Sequence, residues 1–204
     1  MTLLYGYTYK VYSQANKLAY VLPKRRENEK KQYPWLKRFD ILTEYSNKDI
    51  LILYDYVNVL VVIRGTDIND KLGRRMSDLT NDLGILFNNE KYIDRTGKVR
   101  RVIYQLLAVY PKNIIRITGF SLGGYVAIKM SNMFNIPAVL FNPASSPSNK
   151  ETNKSKIITT LTTNNIKAGI VDPLSVSSVL RDDFKTYIVP VKAGETTHAL
   201  NNFI

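Results

Sequence analysis

One histidine, one well-framed serine and a few aspartates carry most of the chemistry open to this chain. Ser121 stands in Gly119-Phe120-Ser121-Leu122-Gly123, a G-x-S-x-G frame that alone is short enough to arise by chance. Its setting is more specific. Asn113–Thr118 (NIIRIT) reads as a buried strand running into the frame, and Tyr125–Phe134 reads as a helix leaving it. A serine on such a sharp turn projects its hydroxyl above a sheet. The flanking glycines keep Cβ atoms out of the space where strand and helix meet, and the helix turns its first N–H groups and positive dipole end toward any oxyanion formed there. Such a serine needs a base and an acid. His198 follows near the C-terminus, in Gly194-Glu195-Thr196-Thr197-His198, after the last strand-like run. Asp172 ends the run Ile166–Val171 and precedes Pro173, which places it at a strand end; Asp182 and Asp183, in the charged stretch RDDFK, are its competitors. With Asp172 the order is Ser, Asp, His. The serine attacks, the histidine takes its proton, and the aspartate fixes the imidazole's tautomer and stabilises its cation.

Composition narrows the alternatives. The 204 residues include no cysteine, which excludes a thiol nucleophile, a disulfide frame and cysteine-ligated zinc, and a single histidine argues against histidine-rich metal sites. Chemistry without metal or cofactor is therefore expected. The formal net charge is +12, gathered in small groups such as Lys24-Arg25-Arg26, Lys30-Lys31, Lys37-Arg38 and Arg74-Arg75. Such a balance attracts anionic partners, an acidic membrane surface among them, although a solvated basic exterior accounts for it equally. No motif for RNA or DNA accompanies the charge, so no nucleic acid partner is expected. The start, MTLLYGYTYK, lacks the sustained apolar run of a secretory signal, and the longest apolar stretch, around Val57–Ile63, is far short of a membrane span. A soluble, intracellular protein is the expectation, with membrane contact at most peripheral.

These residues need elements to hold them, and one domain over 1–204 suffices. Residues 8–21 space their apolar positions as a helix, and 23–37, polar and broken by Pro23 and Pro34, read as a loop. Phe39–Tyr45, Ile50–Tyr56 and Val57–Arg64 read as strands, with a turn at Asn47-Lys48-Asp49. An apolar-periodic segment follows at Ser77–Phe87, a loop at 88–98, and a helix at Val99–Tyr110 ended by Pro111. Pro137–Asn142 is a further strand, 143–155 a loop, Ile157–Leu161 and Ile166–Val171 a turn-separated pair, and Thr186–Val191 a late strand. Early adjacent strands and later strand–helix alternation predict an α/β architecture with a mixed, mostly parallel central sheet flanked by helices.

Three stretches together resemble the class 3, or fungal-type, lipases. Val61-Val62-Ile63-Arg64-Gly65-Thr66 is like that family's strand ending in Arg-Gly-Thr. Ser77-Asp78-Leu79-Thr80-Asn81-Asp82-Leu83 is similar to its Asp-Trp-Leu-x-Asp-Leu segment, and Thr118-Gly119-Phe120-Ser121-Leu122-Gly123-Gly124 to its Thr-Gly-His-Ser-Leu-Gly-Gly. The resemblance implies an α/β-hydrolase fold, hydrolysis of lipid-like esters without a cofactor, and an oxyanion hole from the N–H groups of Thr66 and Leu122. Phe120 replaces the family's histidine, and no tryptophan stands beside Asp78. The short connection after Leu83 leaves little room for a large lid, which favours short-chain esters or lysolipids as substrates. Arg64 reads as structural, paired with a carboxylate such as Asp78 or Asp82. A hydrolase fold used only for binding, and a thioesterase or peptidase, are the alternatives.

Overall fold

A computed structural model describes residues 3–65, 90–144, 158–163, 185–195 and 200–203. The chain opens with a small hairpin of β1 (Leu3–Leu4) and β2 (Tyr7–Thr8), followed by helix α1 (Tyr9–Ala19) and the short helix α2 (Arg26–Lys30). Among the described residues a seven-stranded sheet then runs in sequence order: β3 (Asp40–Ile41), β4 (Ile50–Tyr54), β5 (Val59–Ile63), β6 (Ile115–Phe120), β7 (Ala138–Phe141), β8 (Ile158–Thr162) and β9 (Lys185–Ile188). The β3–β4 and β4–β5 pairings are antiparallel, and all four from β5 to β9 are parallel. This is the expected α/β architecture with its mixed, mostly parallel sheet.

Strict sequence order has a consequence for the faces. Each parallel step moves in one direction, and right-handed crossovers then put their helices on one side. Helix α3 (Glu90–Val109) joins β5 to β6, and α4 (Leu122–Phe134) joins β6 to β7. Val102, Ile103 and Leu106 of α3 pack with Val126 and Met130 of α4 against Val59, Val61, Ile63, Ile117 and Leu140. The alternate strand residues Leu60, Val62, Phe120, Val139 and Phe141 face the other way, onto Val11, Tyr12, Ala15 and Leu18 of α1. The period of two in each strand thus feeds two separate cores. Among the described residues no helix is long and apolar enough to cross a membrane.

Several expectations change. Residues 23–37 are not a plain loop: they hold 3-10 turns at Pro23–Arg25 and Pro34–Leu36 and helix α2, since each proline starts a helical turn at a position where its missing N–H costs nothing. The strand expected at Phe39–Tyr45 pairs only at Asp40–Ile41, because Ser46 Oγ accepts the N–H of Ile52 at 2.9 Å and donates to Leu42 O at 2.8 Å, taking over the ladder. The loop expected over 88–98 is helical from Glu90 onward. Arg95 anchors that extension, pairing with Asp49 at 3.1 Å and donating to Arg64 O at 3.3 Å. Of the expected turn-separated pair, Ile158–Thr162 is flanked instead by parallel neighbours on both sides; Ile166–Val171 and Ser77–Phe87 lie outside the described residues.

Arg26 is the other departure. It looks like part of a solvated basic run, yet it is 1% exposed. Its guanidinium donates to Ala19 O at 3.0 Å, Val21 O at 3.0 Å, Asn47 O at 2.8 Å and Ile50 O at 3.2 Å. A cation at the carbonyl end of α1 also faces the negative end of that helix's dipole. Burial, with Arg64 nearby, pushes its pKa down to about 10, which keeps it charged at neutral pH. Arg26→Leu leaves those carbonyls without their donor and is expected to cost about 3–5 kcal/mol. Urea unfolding checks this: the midpoint falls while the slope is unchanged. Arg26→Lys recovers little, because one ammonium cannot span the fork's acceptors.

Candidate active site

The site begins where β6 ends. Ser121 is the residue between β6 and α4, with φ 55° and ψ −125°. A non-glycine residue in that region is strained by about 1–3 kcal/mol and persists only when its surroundings hold it. They do so through the backbone. Ser121 N–H donates to Phe141 O at 3.2 Å, and Ser121 O accepts from Tyr125 N–H at 3.2 Å and Ala144 N–H at 2.9 Å. The hydroxyl does not cap α4. As the first residue of α4, Leu122 has an N–H that helix geometry leaves without an intrahelical acceptor.

Four glycines make this turn possible by close approach. A Cβ on Gly119 would strike the Gly123 carbonyl, and one on Gly123 would strike Ile63 O. One on Gly124 would meet Pro143 Cβ at 2.8 Å, and one on Gly65 would meet Phe120 O and the Tyr20 hydroxyl, each at 2.6 Å. The end of β5, the serine turn and the start of α4 therefore touch backbone to backbone. This is why the residues after β5 lie beside the helix N-terminus.

Polar side chains tie the surrounding elements to the same edge. Thr118 Oγ1 accepts from Asn16 Nδ2 at 2.8 Å and donates to Val139 O at 2.7 Å, which pins α1 to β6 just below the serine. Asn142, fully buried with φ 36°, donates to Thr163 Oγ1 at 3.1 Å and accepts Thr163 N–H at 3.0 Å, joining the ends of β7 and β8. At the C-terminal side, Phe203 meets Phe141 edge-on at 5.1 Å between ring centres, and Asn202 Oδ1 accepts Lys192 N–H at 2.8 Å. Asn201 Nδ2 donates to Glu195 at 2.7 Å. Burial pushes the Lys17 ammonium on α1 down, while Glu195 acts in the opposite sense.

Ser121 and Leu122 thus stand together at one strand–helix junction. Thr66, Asp172, His198 and the competing Asp182 and Asp183 lie outside the described residues. Arg64 has a structural setting, its guanidinium lying 5.2 Å over the Tyr20 ring and donating to Lys48 O at 3.4 Å; Asp78 and Asp82 lie outside the described residues. Sequence reading missed Asn16, Tyr20 and Asn142. Asn142-Pro143 at the end of an apolar run is the one local signal among them, since asparagine tolerates positive φ.

Residues 74–161 match the family UPF0227, described as an uncharacterised protein family. The match covers less than half of the chain and does not single out the class 3 lipases that the motifs resemble. The matched stretch contains β6, the serine turn, α4 and β7, and ends at Leu161. No curated protein matches the chain.

Proposed function

We propose that this chain is a serine hydrolase of carboxylic esters, with lipid-like esters as substrates in keeping with its resemblance to the class 3 lipases. The conformation of Ser121 carries the reading: a strained serine, held by backbone hydrogen bonds between a parallel strand and a helix N-terminus, with its hydroxyl not used as a cap. The topology supports the partners. The connection from β8 to β9 carries Asp172, Asp182 and Asp183, and the segment after β9 carries His198. In sequence Asp172 comes ten residues after β8, whose C-terminal end shares an edge with Ser121, whereas Asp183 comes two residues before β9, whose start lies at the opposite edge. After His198, Phe203 packs on Phe141, the residue whose carbonyl accepts the Ser121 N–H, and Asn202 ties that end of the chain to Lys192 before it.

In this mechanism Ser121 Oγ attacks the acyl carbonyl as His198 takes its proton. The N–H groups of Leu122 and Thr66 bind the oxyanion, each contributing on the order of 3 kcal/mol. Collapse expels the alcohol, protonated by His198, and leaves the acyl group on Ser121. Water, deprotonated by the same imidazole, releases the acid. Asp172 holds the imidazole in the tautomer that this requires.

The test is a fluorophosphonate probe read by intact mass. A single adduct is expected on the wild type, and none on Ser121→Ala or His198→Ala. A folded wild type that takes no probe removes the enzyme reading and leaves a binding scaffold. An ester panel beside thioesters and amides separates an esterase from a thioesterase or peptidase.

A further inference from the structure

Beyond α1 the chain runs Leu22-Pro23-Lys24-Arg25 before Arg26 turns back into the protein. All four tip residues are exposed, and Leu22 keeps 56% of its surface. Two anchors fix this tip at the edge that carries Ser121. On one side the Tyr20 hydroxyl lies against Gly65, which itself abuts the serine turn. On the other, Arg26 holds Asn47 O and Ile50 O, and Ile50 pairs with Ile63 at the end of β5. Lys48, exposed in the adjoining turn, adds a cation beside Arg64, whose guanidinium donates to Lys48 O at 3.4 Å. The nearby carboxylates are engaged: Glu29 with Arg25 at 2.9 Å, and Asp49 with Arg95 at 3.1 Å.

We propose that this tip is a docking surface for an anionic lipid bilayer. Leu22 and Pro23 enter the boundary between headgroups and acyl chains, while Lys24 and Lys48 meet the lipid phosphates. The apolar pair selects this partner over a nucleic acid, which would use the cations and gain nothing from Leu22. A bilayer docked here faces the serine's edge of the sheet. The docking does not depend on the hydrolase reading, which probe labelling in lipid-free buffer tests separately.

Co-sedimentation with phosphatidylglycerol-containing vesicles, beside pure phosphatidylcholine vesicles, tests the proposal. Binding is expected to the anionic vesicles alone and to fall as salt rises. Lys24→Glu with Lys48→Glu should weaken it at least roughly 25-fold, at about fivefold per cation removed. Leu22→Ser, with no change of charge, should weaken it about tenfold. Arg100→Glu with Arg101→Glu, the same charge change on exposed positions of α3, should leave it nearly unchanged. Trp35 is the only tryptophan, so Leu22→Trp in a Trp35→Phe background places a single reporter at the tip. Its emission should shift to the blue on anionic vesicles and be quenched by brominated acyl chains. Equal losses from the two charge reversals, an unquenched reporter, or binding to an oligonucleotide and not to vesicles would overturn the proposal.

Discussion

Ser121→Ala is expected to lower kcat for ester hydrolysis about 10⁶-fold, the scale seen when a triad nucleophile is removed, with almost no change in stability. The second half of that expectation is the more demanding. A serine at a helix N-cap normally loses about 0.5–2 kcal/mol on becoming alanine, because its oxygen binds an N–H of the first turn. Here the hydroxyl makes no such bond. The backbone contacts to Phe141, Tyr125 and Ala144 survive the substitution. Alanine also suffers the same strain at φ 55°, so the strain does not change either. The prediction is a dead enzyme whose unfolding free energy lies within about 0.5 kcal/mol of the wild type. Urea unfolding beside turnover of a soluble short-chain ester measures both. A large loss of stability would mean that the hydroxyl has a structural partner and is not held in reserve for substrate.

Gly123→Ala should do the reverse and damage the fold directly. The added Cβ would strike Ile63 O and approach the Arg64 carbonyl carbon and Gly65 N, each at 2.9 Å. All three atoms are backbone, and two belong to the stretch joining β5 to the proposed oxyanion donor. No side-chain rotamer can relieve the clash, so β5 and the serine turn must separate. Overpacking of this kind costs typically 1–3 kcal/mol, and a clash confined to backbone belongs at the upper end, about 3 kcal/mol or more. Gly97→Ala is the built-in comparison. Gly97 lies inside α3 with nothing within 4 Å of the would-be Cβ. There the same substitution is expected to stabilise by about 0.5–1 kcal/mol through helix propensity. Opposite signs in thermal or urea unfolding, with probe labelling lost only in Gly123→Ala, would separate close approach from a general intolerance of methyl groups. Equal and small effects would mean that the turn is looser than these contacts require.

The serine, its glycines and the mixed sheet were legible because their signals are local. G-x-S-x-G lies between an apolar run and a helical period, and Val, Ile and Leu fill the strands. The polar scaffold around the site was not legible, since its partners are remote in the chain. Asn16 meets Thr118 across 102 positions, and Asn142 meets Thr163 across 21. Nothing near Asn16 in sequence distinguishes it from a solvated helix residue. Arg26 was masked by its company: Lys24 and Arg25 beside it are exposed, so charge alone placed all three outside. The first two turns of α3 were hidden by Asp94, Thr96 and Gly97, weak helix formers whose cost is offset by the Arg95 contacts to Asp49 and Arg64. Local propensity lost there to tertiary contact.

The backbone of Ser121 also bears on how this chain can drift. A serine at φ 55° and ψ −125° is a standing destabilisation, whereas glycine adopts that conformation freely. If the hydroxyl served no reaction, Ser121→Gly would be among the easiest gains in stability open to the sequence, and mutation would need only one site to find it. The four-glycine packing around the turn, by contrast, would be as necessary to an inert scaffold as to an enzyme. Ser121 is therefore the position where loss of selection for chemistry would show first, and in this chain it still carries its hydroxyl.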